Sequence, residues 1–366
     1  MSLKPSEIGK LRLINQQLTG TSFTTGKEMV AWMGAVQGQE YAQSKWGLGL
    51  RLPHLKDDDI EQEFAEGNIL RTHLLRPTWH LVTADDIRWL LGLTAPRVNV
   101  ANAYMYRKLE LDTPVFNRCN DIIVKTLQGH QQLTRSELNA ALKEHKIMVE
   151  GLRLGYIMMR AELDGIICSG ARRGKQFTYA LMDERVPSSK TKNKEEALAE
   201  LTKRYFASRG PATLKDFSTW SGLPLTDCKK GIEMVKIHLT RERVDDEDFF
   251  FSSDISFNTQ PFQNFHLLPV YDEFIMGYKD RSAMIQLRNN MAPQPAFRFD
   301  NMIIFEGQIV GTWKRKVNKN SIDVVYDLFT PLNKKHLRLF ISAMYRFYEF
   351  TGLPVSYTQD RLIDNK

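Results

Sequence analysis

The chain has 366 residues, 42% hydrophobic and 25% charged, with 50 Lys and Arg against 43 Asp and Glu, a formal charge of +7. That length holds two or three compact units with full cores, and the mild basic excess suits phosphate-backbone binding without demanding it. Three scattered cysteines, Cys119, Cys168 and Cys228, argue against a disulfide framework or a zinc ribbon. No run approaches 18 apolar residues and the N-terminal MSLKPSEIGK has no signal-peptide core, so the expectation is a cytoplasmic, non-membrane protein.

In chain order, residues 7–17 read as a helix, residues 24–28 open a second and residues 57–66 form a third. Residues 69–82 alternate as a two-stranded ribbon with Leu70, Leu74, Trp79 and Leu81 apolar. Helix, helix, helix and ribbon is the order of a winged helix-turn-helix. A second copy follows a helical linker. It has a helix over 114–127, the capping box Thr134-Arg135-Ser136-Glu137, a helix over 152–164, and strands at 165–170 and 176–181. The tip between those strands is basic: Ala171-Arg172-Arg173-Gly174-Lys175. After a Ser/Lys-rich linker at 187–194, a third copy places helices at 195–209 and 224–234 and a ribbon at 238–252. The acidic tip of that ribbon, Asp245 to Asp248, would repel phosphate and is expected to face away from nucleic acid.

Beyond Phe265 the pattern changes to strand-like runs at 265–274, 296–306, 308–316 and 321–329, with a turn at Glu306-Gly307, then a helix over 334–350. The expected fold is α+β: three tandem winged helix-turn-helix units at 1–112 (with the helical linker), 113–186 and 195–255. A small antiparallel β-sheet or barrel with a C-terminal helix follows at 262–366.

The stretch VAWMGAVQGQEYAQSKWGLGLR, residues 30–51, stands out. Met29, Trp32, Met33 and Val36 make one buried helical face that runs into Gln37-Gly38-Gln39-Glu40. On a continuous helix the two glutamines would point about 200° apart. A helix ending or kinking at Gln37 brings both amides to one side, and Gly38 between them favours such a break. Neutral amides at a helix end are ordinarily surface residues or caps, so spacing alone assigns them no chemistry.

With its surroundings, however, the stretch resembles the paired-glutamine motif of the AlkZ-like DNA glycosylases, a bacterial tandem winged-helix family (the HTH_42 group). The match runs through Val36-Gln37-Gly38-Gln39-Glu40 and Trp46-Gly47-Leu48-Gly49-Leu50-Arg51. It continues at Leu75-Arg76-Pro77-Thr78-Trp79-His80-Leu81, at Leu267 to Phe274 with Gly277 to Arg281, and at Gly311-Thr312-Trp313-Lys314-Arg315. It departs at Gly38, where the family carries an aliphatic residue. The resemblance implies a curved molecule with a channel for duplex DNA, a monofunctional glycosylase activity, and Gln37 and Gln39 as catalytic residues.

The chemistry is consistent with such residues. A base alkylated at N3 or N7 already carries positive charge and leaves without a general acid, so placing water and stabilising the developing cation remain. A glutamine carbonyl accepts a hydrogen bond from water and its amide donates one elsewhere. Glu40 and Glu28 are alternative carboxylate bases, and Glu40 is more simply a surface or capping group. His80 sits on the first ribbon, where a lone histidine is more often structural, and the resemblance places Trp79 and His80 near the glutamines.

Lys45 and Arg51 beside them, Arg172, Arg173 and Lys175 at the second tip, and Lys314, Arg315 and Lys316 in a further basic hairpin are the candidate DNA contacts. The polar cluster Tyr271-Asp272-Glu273 reads as a network joining the last unit to a winged helix. No His, Cys or carboxylate group has metal-ligand spacing, and neither a metal nor another cofactor is expected. The partner is double-stranded DNA, in the nucleoid of a bacterium, bound by a monomer. The alternatives are a winged-helix transcription regulator, for which no dimerisation stretch is evident, and a damaged-DNA binder without activity.

Overall fold

The computed structural model describes residues 3–186, 191–254, 264–285 and 300–360. Three times the chain repeats one arrangement, in which a short strand, two helices and a β-ribbon share a three-stranded sheet. The first repeat runs α1 (Pro5–Asn15), α2 (Gly26–Met33), β1 (Val36–Gln37), α3 (Tyr41–Arg51), α4 (Asp57–Glu66), β2 (Ile69–Leu74) and β3 (Thr78–Thr83), with sheet order β1-β3-β2. The long helix α5 (Ile87–Lys108) leads to the second: α6 (Thr113–Leu127), β4 (Leu133–Thr134), α7 (Arg135–Glu144), α8 (Arg153–Leu163), β5 (Ile167–Ser169), β6 (Thr178–Leu181) and the short α9 (Met182–Arg185), with order β4-β6-β5. The third has α10 (Lys194–Arg209), β7 (Ala212–Thr213), α11 (Leu214–Ser221), α12 (Leu225–Val235), β8 (Leu239–Val244) and β9 (Glu247–Ser252), with order β7-β9-β8.

Capping starts several of these helices as their sequences dictate. Thr134 Oγ1 accepts the Glu137 N–H at 3.3 Å while Glu137 takes the Thr134 N–H at 2.7 Å, a reciprocal box. Glu28 does the same for α2, its Oε2 accepting the N–H groups of Thr24 and Thr25 at 2.8 and 3.0 Å. Those bonds lower its pKa, so Glu28 is a capping group and not a candidate base.

The last region begins with β10 (Phe265–Leu267) and α13 (Glu273–Met276), so the strand expected over 265–274 stops after three residues. Then come β11 (Asn301–Phe305), β12 (Gln308–Val317), β13 (Ile322–Leu328), α14 (Lys334–Thr351) and β14 (Val355–Gln359). Together the strands form a five-stranded sheet in the order β10-β11-β12-β13-β14. The predicted turn is there: Glu306 and Gly307 both adopt positive φ, 49° and 79°, and Phe305 pairs with Gln308. One expectation needs correction: β14 pairs parallel to β13, because α14 is the crossover a parallel neighbour requires. Of the expected sheet or barrel, the described strands form a sheet with β10 and β14 at its edges. Residues 187–190 of the expected linker and 296–299 of an expected strand lie outside the described residues.

The first and third repeats and the last sheet share a continuous core that includes Met29, Trp46, Tyr205, Trp220, Trp313 and Phe347. Most of the second repeat packs around a separate cluster with Phe116, Leu138 and Ile157. Among the described residues, no helix is long and apolar enough to cross a membrane.

Candidate active site and nucleic-acid interface

Helix α2 does not reach Gln37. It stops at Met33, Gly34 takes φ +72°, and Val36 and Gln37 become a strand paired to β3. Gln37 stands opposite His80, and Gly38 donates its N–H to Trp79 O at 2.8 Å. A Cβ on Gly38 would lie 3.1 Å from the His80 carbonyl carbon and the Leu81 nitrogen. Glycine at this position therefore lets β1 lie tight against β3, and the departure from an aliphatic middle residue has a steric correlate.

The turn is fixed through its backbone. Gln37 N–H donates to Glu273 Oε1 at 2.8 Å, and Ser44 Oγ donates to Gln37 O at 2.7 Å. Arg71 Nε donates to Gly38 O at 2.8 Å. The side-chain carbonyl of Gln37 accepts from Gly38 N at 3.1 Å. The two amides are not equivalent: Gln37 is 5% exposed, whereas Gln39 and Glu40 stand in solvent.

Glu273 is the buried anchor of this arrangement. Its Oε2 accepts from Arg209 Nη2 at 2.6 Å and from Trp220 Nε1 at 3.0 Å. Arg209 also donates to Met33 O and Ala35 O at 2.7 and 2.8 Å, at the C-terminal end of α2, where a cation is favoured. The neighbouring Asp272 turns the other way and holds Arg51 through two bonds of 2.8 and 2.9 Å. The polar cluster at 271–273 thus joins the last region to the first and third repeats.

Several candidate DNA contacts are spent internally. Lys45 is 4% exposed and pairs with both Asp57 and Glu61 at 2.7 Å, and Arg51 is 3% exposed in its pair with Asp272. Neither offers its charge to a phosphate. His80 is fully buried and corrects the expectation of a DNA contact. Its Nδ1 lies 3.0 Å from Thr78 O, which fixes the proton on that nitrogen. Trp79 is half-buried, its ring against Arg71 at 4.2 Å and His73 at 4.4 Å.

Arg172 pairs with Glu61 at 3.1 Å and packs on Tyr41 and Phe177. Burial would raise the pKa of Glu61, but Lys45 and Arg172 together hold it low. Arg173 is exposed and pairs with Glu137 at 2.9 Å, and Lys175 is exposed at the same tip. Lys314, Arg315 and Lys316 lie on strand β12 and not at a hairpin tip. Alternation leaves both lysines exposed and turns Arg315 inward toward Phe347, where burial lowers its pKa. Arg71, Ser44 and Arg209 have no signal in the sequence, because their partners are backbone carbonyls or lie far along the chain. Among the described residues no cluster of His, Cys, Asp or Glu is arranged to hold a metal.

The buried imidazoles carry a pH dependence. His80, burial acting first and Arg76 next, and His266, burial acting first and Arg346 next, are both pushed down to about 3. Between that value and the ordinary histidine pKa of about 6.5, the unfolded chain binds protons that the folded chain does not. Stability is complete above that window and falls with pH by about 1.4 kcal/mol per unit for each histidine. Urea unfolding at pH 5 is expected to show about 2 kcal/mol less stability per histidine than at neutral pH, and His266→Phe should make the fall shallower. Equal stability at the two pH values would contradict this.

A mixed α/β molecule with exposed cations and a backbone-pinned pair of amides now has a context. Residues 30–350 match the family model described as DNA glycosylase AlkZ-like, and the chain belongs to that family. It is similar to the interstrand DNA cross-link repair glycosylase of Streptomyces sahachiroi, with 23% identity over 318 residues, 83% of this chain and 85% of that protein. The solved structure of the Streptomyces sahachiroi DNA glycosylase AlkZ superposes with a TM-score of 0.79 at 20% identity, covering 98% of this chain and all of the other.

Proposed function

We propose that the protein is a monofunctional DNA glycosylase that removes positively charged N3- or N7-alkylated bases from duplex DNA, with Gln37 and Gln39 holding the attacking water. The observation that carries this reading is the turn itself, whose backbone is held by Glu273, Ser44 and Arg71 while the Gln39 side chain stands free. Preorganised polar groups of this kind act on charge that develops in the transition state. In the reaction the bond between C1′ and the base nitrogen breaks, and its electron pair neutralises the cationic base. Water oxygen bonds to C1′, and its proton passes to solvent. The cross-link repair named for the Streptomyces relative extends the substrate class to bulky and crosslinked adducts.

In this reading the three repeats are winged helix-turn-helix units, and the enzyme works as a monomer without a metal or cofactor, in the cytoplasm with the nucleoid. Arg173, Lys175, Lys314 and Lys316 supply the phosphate contacts. Neutralising any one of them should lower the slope of log affinity against log salt by about 0.9, whereas Lys45→Gln should leave the slope unchanged. Fluorescence anisotropy on duplex DNA at several salt concentrations measures this, and slopes for the four neutralised variants equal to that of the unaltered protein would remove the interface.

One observation favours a second reading, a binder of damaged DNA that does not turn over: Gln37 is only 5% exposed. Formation of abasic sites on a duplex carrying 7-methylguanine tests the choice. Release of the base supports the enzyme, and tight binding with an intact base supports the binder.

A further inference from the structure

We propose that Arg71 is a positioning residue that sets the angle of the Gln37–Gln39 turn by gripping consecutive carbonyls of that turn. The inference rests on the glycosylase reading above. Arg71 lies on β2, where its Nε donates to Gly38 O at 2.8 Å and its Nη2 reaches Gln39 O at 3.5 Å. The two carbonyls it holds are those that lie between and beside the two amides, so a change in the guanidinium plane turns the Gln39 side chain.

The guanidinium is itself locked. Its carbon sits 4.2 Å from the Trp79 ring centroid and 4.4 Å from the Phe177 centroid. The Arg71 backbone N–H donates to Ser169 Oγ at 2.8 Å. Arg71 is 8% exposed and forms no ion pair with a described carboxylate. Burial lowers its pKa, and Glu162, which is occupied by His73, pulls it back up. A charge taken out of water with only aromatic faces and carbonyls as partners is costly, and an apolar side chain would serve packing better.

Its position makes sense if the turn has to be held to a fraction of an ångström, as a water-placing site must be. Lysine cannot substitute, because a point charge presents neither a flat face to the rings nor two donors in a fixed fork. Phe177 and Ser169 belong to the second repeat, so the clamp also ties the turn to the docking of that repeat on the first.

The test is Arg71→Ala in the full chain, with abasic-site formation followed under single-turnover conditions on a duplex carrying 7-methylguanine. The rate is expected to fall roughly 10²-fold, the cost of a misplacement of about 1 Å, while duplex affinity is kept. Guanidinium at low millimolar concentration should restore rate in a saturable manner, methylammonium should not, and Arg71→Lys should be as slow as Arg71→Ala. A full-rate Arg71→Ala protein, or rescue by methylammonium equal to that by guanidinium, overturns the proposal. If Arg71→Ala does not fold, Arg71→Lys decides: wild-type rate there overturns the clamp, and a slow, folded protein supports it. Gln37→Ala/Gln39→Ala, measured alongside, separates the two failures. A full-rate double variant removes the reading on which the clamp rests, whereas a dead double variant beside a full-rate Arg71→Ala removes the clamp alone.

Discussion

Glu273→Gln is expected to lower folding stability by about 3–5 kcal/mol, the cost of breaking a buried ion pair by removing one partner. Arg209 is fully buried, so its charge would remain among neutral groups: the carbonyls of Met33 and Ala35, the Ser208 hydroxyl and the Trp220 and Tyr205 rings. The neutral amide keeps one acceptor oxygen where the carboxylate has two, one facing Gln37 N–H and the other facing Arg209 and Trp220 Nε1, so the loss combines the isolated charge with a donor left unpaired. Urea unfolding at neutral pH measures it. The double variant Glu273→Met/Arg209→Met should recover only the part of the loss due to the isolated charge, since it leaves Gln37 N–H, Trp220 Nε1, Met33 O and Ala35 O without these partners. A single-variant loss below about 1 kcal/mol, the worth of an ordinary hydrogen bond, would show that Glu273 does not carry the charge balance of this core.

Gln37→Ala/Gln39→Ala should leave the protein folded and the duplex bound while base release collapses. Gln37 accepts, through its side chain, only from the adjacent Gly38 N–H, which also has Trp79 O, and Gln39 is exposed. The stability cost is therefore within about 1 kcal/mol. Each lost positioning bond is worth roughly 10²-fold in rate by analogy with an oxyanion donor, so the double variant should fall further than either single one. Single-turnover release of 7-methylguanine reads this directly. Wild-type release from a folded double variant would end the assignment of catalysis to this pair.

Much of the local structure was legible. The Thr134-x-x-Glu137 box, the Glu306-Gly307 turn and the helix 57–66 follow from side-chain chemistry within a few residues, and each is where the sequence puts it. The end of α2 is not legible, because the apolar period runs through Gly34, which breaks the helix by its backbone angle without interrupting the hydrophobic pattern. The surface charges were harder to read. Arg51 and Asp272 are 221 residues apart, and Lys45 finds Asp57 and Glu61 only because α3 and α4 pack together. A basic residue next to a motif looks available until the fold supplies its counterion. Arg71 is silent in the sequence for the related reason that a strand residue gripping main-chain carbonyls leaves no pattern in its own neighbourhood.

Asp272 and Glu273, consecutive in sequence, neutralise two arginines 158 positions apart in the first and third repeats, Arg51 and Arg209. Cutting the gene before codon 264 would strip both guanidiniums of their counterions at once. No amino-terminal fragment ending there should express as a working minimal enzyme, and shuffling homologous segments across that boundary should succeed only when both acids travel with arginines shaped to receive them.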